Sequence, residues 1–571
     1  MRWLGIIAVF ILEALLSLGC HREPTETTGP EPTVDDPVWF RDDTDKVGLA
    51  FQHEAGPIGR YFMPQIMGSG AVLLDFDNDG RFDLYFIQNG GPNTAARNRL
   101  FRQTKDGRFE EVRDSGLEIA GYGMGAAVGD VDNDGWVDVY VSQYGGGRLF
   151  LNRGKGKFED VTRTAGVEQP CWGTSCAFFD YDRDGWLDLI VVNYVDYDAS
   201  RQCGPASGKA DYCHPSAFPG SDARLFRNLG RDGKGRWLGF QDVTAAAGLA
   251  RRAPGLGVVC ADFNGDGWPD ILAANDAKAN CLWINRRDGT FADEATMRGV
   301  AFDGLGNAQS NMGVTVGDVD GDGRLDLFIT HLTAETHTLW RQTAAGLFQD
   351  GTAAAGLAMP HWRGTGFGTI LADFDLDGAL DIAVVNGRVS RGPEVKGDGL
   401  SPYWGRYAER NQLFQNDGHG VFRDIGRGNE AFCGAFAISR GLVWGDFDDD
   451  GGVDLVTTAV AGPARLYRNI APRRGHWLIV RAHDPARKRD AYGAVVRFTA
   501  GGRQRIGLIN PGQSYLSSGD PRVHFGLGEI DRIDEIRVDW PDGPVKTSTE
   551  VFPCGKVDRV LVLERGEGKR N

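Results

Sequence analysis

DFDNDGRFDLY, residues 75–85, sets four aspartates into nine positions and then enters an apolar, β-prone run. Alone, the stretch reads equally as a solvated acidic turn or as a metal loop. Its recurrence decides the fold. The pattern D-x-D-x-D-G-x-x-D returns as DVDNDGWVD from 130, DYDRDGWLD from 180, DFNGDGWPD from 262, DVDGDGRLD from 318, DFDLDGALD from 373 and DFDDDGGVD from 446. Seven copies, spaced roughly 62 residues apart on average, mark a repeat architecture.

The flanks repeat as well. A short run such as GAVLL (70–74) or GAAVG (125–129) precedes each loop, and an apolar stretch follows it: LYFIQ, VYVSQ, LIVVN, ILAAN, LFITH, IAVVN, LVTTA. A third segment comes next (RLFRQ, RLFLN, RLFRN, CLWIN, TLWRQ, QLFQN, RLYRN), and in six units a glycine turn leads to a fourth, as in GKFEDVT. Each unit therefore reads as four short strands, and seven units predict an all-β, seven-bladed β-propeller. The last unit stops after its third strand at 464–469, while 38–49, VWFRDDTDKVGL, looks like a spare fourth strand. The N-terminal strand is expected to complete the last blade and close the ring, which removes free sheet edges.

Oxygen ligands at alternate positions, with glycine at position 6 for the bend, suit Ca²⁺. Positions 1, 3, 5 and 9, with the main-chain carbonyl of position 7, give seven candidate metal sets. These are Asp75, Asp77, Asp79, Arg81 and Asp83; Asp130, Asp132, Asp134, Trp136 and Asp138; and Asp180, Asp182, Asp184, Trp186 and Asp188. The remainder are Asp262, Asn264, Asp266, Trp268 and Asp270; Asp318, Asp320, Asp322, Arg324 and Asp326; Asp373, Asp375, Asp377, Ala379 and Asp381; and Asp446, Asp448, Asp450, Gly452 and Asp454. An EF-hand needs a bidentate Glu at position 12, and that position holds Phe86, Val141, Val191, Ala273, Ile329, Val384 and Thr457, so an EF-hand is excluded. Unbalanced carboxylates this close would repel one another. Up to seven Ca²⁺ ions would take the net charge of −16 to about −2. The loop at 446 is expected to be the loosest, with Gly452 and the extra Asp449. Trp136, Trp186 and Trp268, which follow the loop glycine, are expected to pack between blades.

These motifs resemble the FG-GAP/VCBS repeats of integrin-type propellers. The tail, 476–543, carries GAVV, SYLSSGDPRVHFGLG and VDWPDG, and is similar to the ASPIC/UnbV domain. The arrangement over about 40–565 resembles the cartilage acidic protein family. That resemblance implies an extracellular calcium-binding protein and no firmly established enzymatic activity. The spacing after the third and sixth loops is longer than in the family pattern, so inserted segments are read from this chain alone. By its own alternation, 476–565 predicts a β-module of five or six strands. The domains expected are a signal (1–19), a polar Pro-rich tether (20–37), the propeller (38–470), the β-domain (471–566) and a tail (567–571).

Arg2 and the apolar stretch before Cys20 read as an export signal, and SLGC resembles a lipobox that would place a lipid on Cys20; a plain secretory signal is the alternative. Export implies an oxidising compartment, where Cys171–Cys176 and Cys203–Cys213 are candidate local disulfides and Cys260–Cys281 a possible cross-strand one. Net acidity excludes a nucleic-acid partner, and any membrane contact is expected only through the lipid anchor.

Chain order puts the acidic loops, all between first and second strands, on one face. The insertions 194–222, 275–280, 331–337, 361–367 and 387–410 fall on the opposite one. There Asp276, His331, His337, His361, Trp362 and Tyr403 are candidate ligand-face residues. The function expected is a calcium-binding scaffold for a protein or glycan ligand, with no catalytic residues assigned. A propeller enzyme on a polysaccharide or secondary metabolite and a surface-layer component are the alternatives. The chain lacks a Gly-x-Ser-x-Gly elbow, HExxH and a phosphate loop.

Overall fold

Each apolar run that follows an acidic loop becomes a second strand buried along nearly its whole length, as in Asp83–Phe86, Asp188–Asn193 and Asp381–Asn386. Neighbouring sheets cover both faces of these strands, so their sequences are continuously apolar rather than alternating. In a computed structural model, which describes residues 36–204, 210–344, 346–397, 399–472, 475–541 and 548–570, seven four-stranded antiparallel sheets form the seven blades. Blade 1 comprises Ala71–Leu74, Asp83–Phe86, Arg99–Gln103 and Phe109–Val112, and the next five follow the same order. Blade 7 takes three strands from Ser439–Gly445, Asp454–Ala459 and Arg465–Asn469 and its fourth from Phe40–Asp42, with Phe40 opposite Asn469. The ring closes as the sequence predicts.

The C-terminal residues form two further sheets. One sets His476–Asp484 between Val523–Gly528 and a parallel strand, Arg559–Glu564. The other orders Arg503–Leu508, Val495–Ala500, Arg532–Trp540, Ser548–Lys556 and Lys569–Arg570. The last of these lies in the expected tail, where Arg570 pairs with Glu550, so the sheet extends beyond 566.

Between these sheets the chain sends a loop, 509–520, down the axis of the propeller. It reaches the inner strand of every blade. Ser518 carbonyl accepts from Leu73 (2.9 Å) in blade 1, and Ser518 Oγ donates to Ala126 (3.1 Å) in blade 2. Leu516 donates to Ser175 Oγ (3.1 Å), Asn510 Nδ2 to Cys260 (3.1 Å) and Ser514 to Val314 (2.6 Å) in blades 3, 4 and 5. Ser514 Oγ accepts from Thr369 (3.0 Å) in blade 6, and Asp520 donates to Trp444 (3.1 Å) in blade 7. Glycines in the inner strands make room: a Cβ on Gly70 would lie 2.2 Å from Leu516 O, and one on Gly125 2.6 Å from Leu516 Cα.

The opposite end of the axis is filled too. The helix Met63–Met67 and the described parts of the loops 194–222 and 387–410 build an aromatic cap that includes Trp172, Tyr194, Tyr212 and Tyr407. Buried Arg440 ties it down, donating to the carbonyls of Ile66 (2.8 Å), Gly387 (2.9 Å) and Ser439 (2.7 Å). Tyr515 Oη of the axial loop donates to Met67 O (3.1 Å), so plug and cap meet.

The expected signal, Cys20 and most of the tether lie outside the described residues. The chain is already docked at Pro37, whose carbonyl accepts from Asn429 Nδ2 (3.1 Å). Cys203 and Cys213 form a disulfide. Cys171 and Cys176 do not: both thiols are free, because extended strand Gly173–Phe179 at ~3.3 Å per residue separates them. Cys260 and Cys281 are free as well, since the strand Asp270–Asn275 runs between theirs.

Candidate metal loops and ligand face

The acidic loops share one hydrogen-bond plan. In all seven the position-1 aspartate accepts from the main-chain N–H groups of positions 5 and 6, as Asp75 does from Asp79 (3.0 Å) and Gly80 (2.9 Å). The position-9 aspartate accepts from position 2 with one oxygen. With the other it accepts from the Asn or Gln near the end of the third strand. Positions 4 and 6 are left-handed, for example Asn78 (φ 55°) and Gly80 (φ 86°), which is why glycine stands at position 6 throughout.

This plan gathers positions 1, 3 and 9. Asp75, Asp77 and Asp83 bring one oxygen each within 4.8 Å of the others, and so do Asp130, Asp132, Asp138; Asp180, Asp182, Asp188; Asp318, Asp320, Asp326; and Asp373, Asp375, Asp381. Position 5 has a local partner as well. Its Oδ1 is occupied by the N–H of position 7 in every loop, as in Asp134 with Trp136 (2.9 Å), because the turn folds back on it. The donor set fits a hard cation. Asp77, Asp132 and Asp182, all at position 3, each keep a buried Oδ1 without a hydrogen-bond donor, an expensive arrangement that a metal ion relieves. Burial also pushes Asp130, Asp180 and Asp446 up to about 7 and Asp83 up to about 8, with neighbouring carboxylates adding to the shift. The loop at 446 carries its own cation: Arg468 Nη1 lies 2.5 Å from Asp454 and 3.3 Å from Asp448.

Sequence reasoning missed the residue that joins the loops. The Asn or Gln near the end of each third strand donates to the position-2 carbonyl in the loop of the preceding blade, at 2.7–2.9 Å in all seven cases. The signal was present, since every third-strand segment ends in Asn or Gln. Trp136 and Trp186 lie against Gly154 and Gly230 in the turns of their own blades, and Trp136 also lines a cleft shared with Asn78 and Gly80 of the blade 1 loop. Trp268 does bridge blades, lying 5.1 Å under the Arg183 guanidinium.

The loop face carries the C-terminal domain. Arg487 and Arg489 both donate to Gly185 O (3.1 and 3.2 Å), Arg505 to Gly378 O, and His524 contacts Gly451 O (2.8 Å). All three carbonyls belong to position 6 of an acidic loop.

On the opposite face the candidate residues do not meet at one point. His331 and His337 are buried neighbours: His331 N donates to His337 Nδ1 (3.0 Å), and His337 Nε2 pairs with Gln412 Oε1 (3.2 Å). Burial holds His337 at about 4 and His331 well below its ordinary value, so both are neutral. His361 N instead donates to Asp424 (3.1 Å) on the outer strand of blade 6. The Trp362 carbonyl accepts from Gln412 (3.0 Å), and Tyr403 Oη lies 3.1 Å from Tyr212 Oη. Asp276 is buried, receives Tyr194 Oη at 2.5 Å and is pushed up to about 6 by burial.

Residues 75–141, 130–191 and 262–329 match the FG-GAP-like repeat, and 484–570 match the ASPIC and UnbV family. The chain thus carries FG-GAP-like repeats together with an ASPIC and UnbV domain. Its relatives include proteins named cartilage acidic protein 1. The human one is 27% identical over 88% of this chain and 72% of its own length. That of Mus musculus is 26% identical over 84% and 71%, and that of Xenopus tropicalis 27% over 87% and 74%. In this FG-GAP and ASPIC/UnbV protein, no helix among the described residues is long and apolar enough to cross a membrane.

Proposed function

We propose that this protein is an exported, calcium-stabilised scaffold that binds a protein or glycan ligand through the face opposite its acidic loops, with calcium in most of the seven loops. One observation carries the reading. The loop face is occupied by the C-terminal domain, whereas the opposite face presents half-buried aromatic side chains, among them Tyr61, Phe62, Tyr122, Tyr144, Tyr197 and Tyr403. Such amphipathic rings supply contact area at low entropic cost. The Cys203–Cys213 disulfide supports an oxidising, exported location, and the lipobox-like ending at Cys20 supports a lipid anchor. The enzymatic alternative has less support, because the His331 and His337 rings are buried away from solvent and both nitrogens of His337 are taken by its neighbours.

The test is a binding screen of the full chain against immobilised glycans and extracellular proteins in calcium, repeated with Tyr61→Ala and Tyr403→Ala. Binding that weakens in these variants is expected. Binding unaffected by them but lost in Lys488→Ala, on the C-terminal domain, would overturn the reading.

A further inference from the structure

In blades 1, 3, 5 and 7 the third strand carries an arginine just before its latching Asn or Gln: Arg102, Arg227, Arg341 and Arg468. Three of them run along the outside of their acidic loops. Arg102 Nη2 lies 2.7 Å from Asp77 and 3.1 Å from Asp79, Arg227 reaches Asp182 (2.7 Å) and Asp184 (3.3 Å), and Arg341 pairs with Asp320. These carboxylates hold positions 3 and 5. Among the described residues, the position-9 aspartates of those loops, Asp83, Asp188 and Asp326, pair with no guanidinium and accept from main-chain N–H groups. Arg468 goes deeper. Its Nη1 donates to Asp454 Oδ2, at position 9, over 2.5 Å and lies 3.3 Å from Asp448, at position 3. Its side chain is 9% exposed, against 46% for Arg102 and 42% for Arg227. Position 7 is Gly452 here, so no second guanidinium draws on the carboxylates of this loop, as Arg81 does on Asp79 and Arg324 on Asp322.

Positions 3 and 9 supply two of the three oxygens that gather in the loops of blades 1, 2, 3, 5 and 6. A Ca²⁺ ion stands about 2.3–2.6 Å from each of its oxygens. Arg468 Nη1 is already at that distance from Asp454, so metal entry requires the guanidinium to leave. The strand that carries it is held firmly. Arg468 is paired with Arg41 of the closing strand, and Asn469 beside it donates its N–H to Asp454 Oδ1 (2.7 Å) and its amide to Phe374 O in blade 6 (2.9 Å). A charge-assisted bond to a buried carboxylate is among the strong ones, and breaking a buried pair costs far more than breaking a surface pair. We propose that the acidic loop of blade 7 takes no metal and that Arg468 is its permanent cation. Calcium is then left to the six remaining loops. Blade 7 is the one that the N-terminal strand completes, so the seam of the ring is neutralised by the chain itself and not by an ion that can be withdrawn. The proposal rests on the calcium reading above and fixes which loop is exempt from it.

The test counts calcium ions bound per full chain by equilibrium dialysis. Arg468→Gln gives blade 7 the residue that blade 6 carries as Gln415, and it is expected to bind one ion more than the unaltered chain. Arg102→Gln, the same change at an arginine outside its loop, is expected to leave the count as it was. In the unaltered chain Asp77→Ala should lower the count by one, whereas Asp448→Ala, at the same position of the blade 7 loop, should not change it. An equal count in the unaltered chain and in an Arg468→Gln protein that melts cooperatively overturns the proposal. So does a count that falls with Asp448→Ala. If Arg468→Gln does not fold, the two aspartate variants decide by themselves. A chain that binds calcium and loses an ion with Asp448→Ala leaves the calcium reading standing and sinks only this one. A chain that binds no calcium, with Arg468 or with Gln in its place, fails both.

Discussion

Gln103 donates its side-chain amide to the main-chain carbonyl of Phe447, 2.7 Å away and 344 residues later in the chain. It is the last of seven such bonds, and it crosses the junction where blade 1 meets blade 7. The ring therefore closes twice at that place, once through the Phe40–Asp42 strand and once through this latch.

Gln103→Ala leaves the buried Phe447 carbonyl without its donor. It should cost about 1–3 kcal/mol, the range for orphaning a buried acceptor. Denaturant unfolding in calcium checks it, and Gln103→Asn, with the same amide on a shorter stem, is expected to recover only part of the loss.

Calcium removal should destabilise the whole propeller. Each site at a hundredfold excess over its Kd contributes about 2.7 kcal/mol to the folded state. A calorimetric scan with and without EDTA is expected to show a large downward shift, reversed by added calcium. Binding stoichiometry should fall with Asp138→Asn and change least with Asp454→Asn, whose carboxylate Arg468 already holds.

Tyr515→Ala empties the axis where plug and cap meet. Tyr515 is fully buried, packs on Phe367 at 4.8 Å between ring centroids and bonds Met67. The expected cost is about 3–5 kcal/mol, as for other large aromatic truncations. The single unfolding transition should separate into propeller and C-terminal components.

Acid should weaken the fold through its buried histidine. His337 is held at about 4 against an ordinary value of 6.5, because burial opposes its charged form. The unfolded chain then binds more protons than the folded one below pH 6.5, so stability falls as pH drops from 6.5 towards 4. The loss is on the order of 3 kcal/mol for this group. His337→Gln should flatten that part of the stability–pH curve, measured at constant calcium.

Mapping thiols in the unreduced, denatured protein should find Cys203 linked to Cys213 and should alkylate Cys171 and Cys176 separately. A Cys171–Cys176 bridge would contradict the extended strand that starts at Gly173.

The sequence by itself determined the blade count, the strand order, the closing strand and the acidic loops. These are local matters: a loop whose aspartates bond their own main chain within nine residues must repeat its side chains to repeat its shape. Only the tertiary structure decided where the loops point their burden and which face is left open. The axial plug is invisible in the tail's own alternation, because its partners are mostly main-chain groups spread over seven blades. Glycines 70 and 125 read as weak strand residues until Leu516 lies against them. The Asn and Gln latches are conspicuous in sequence, yet their acceptors are carbonyls, which every residue has. A carbonyl leaves no mark on the residue type that supplies it, so only the assembled ring shows what Gln103 holds.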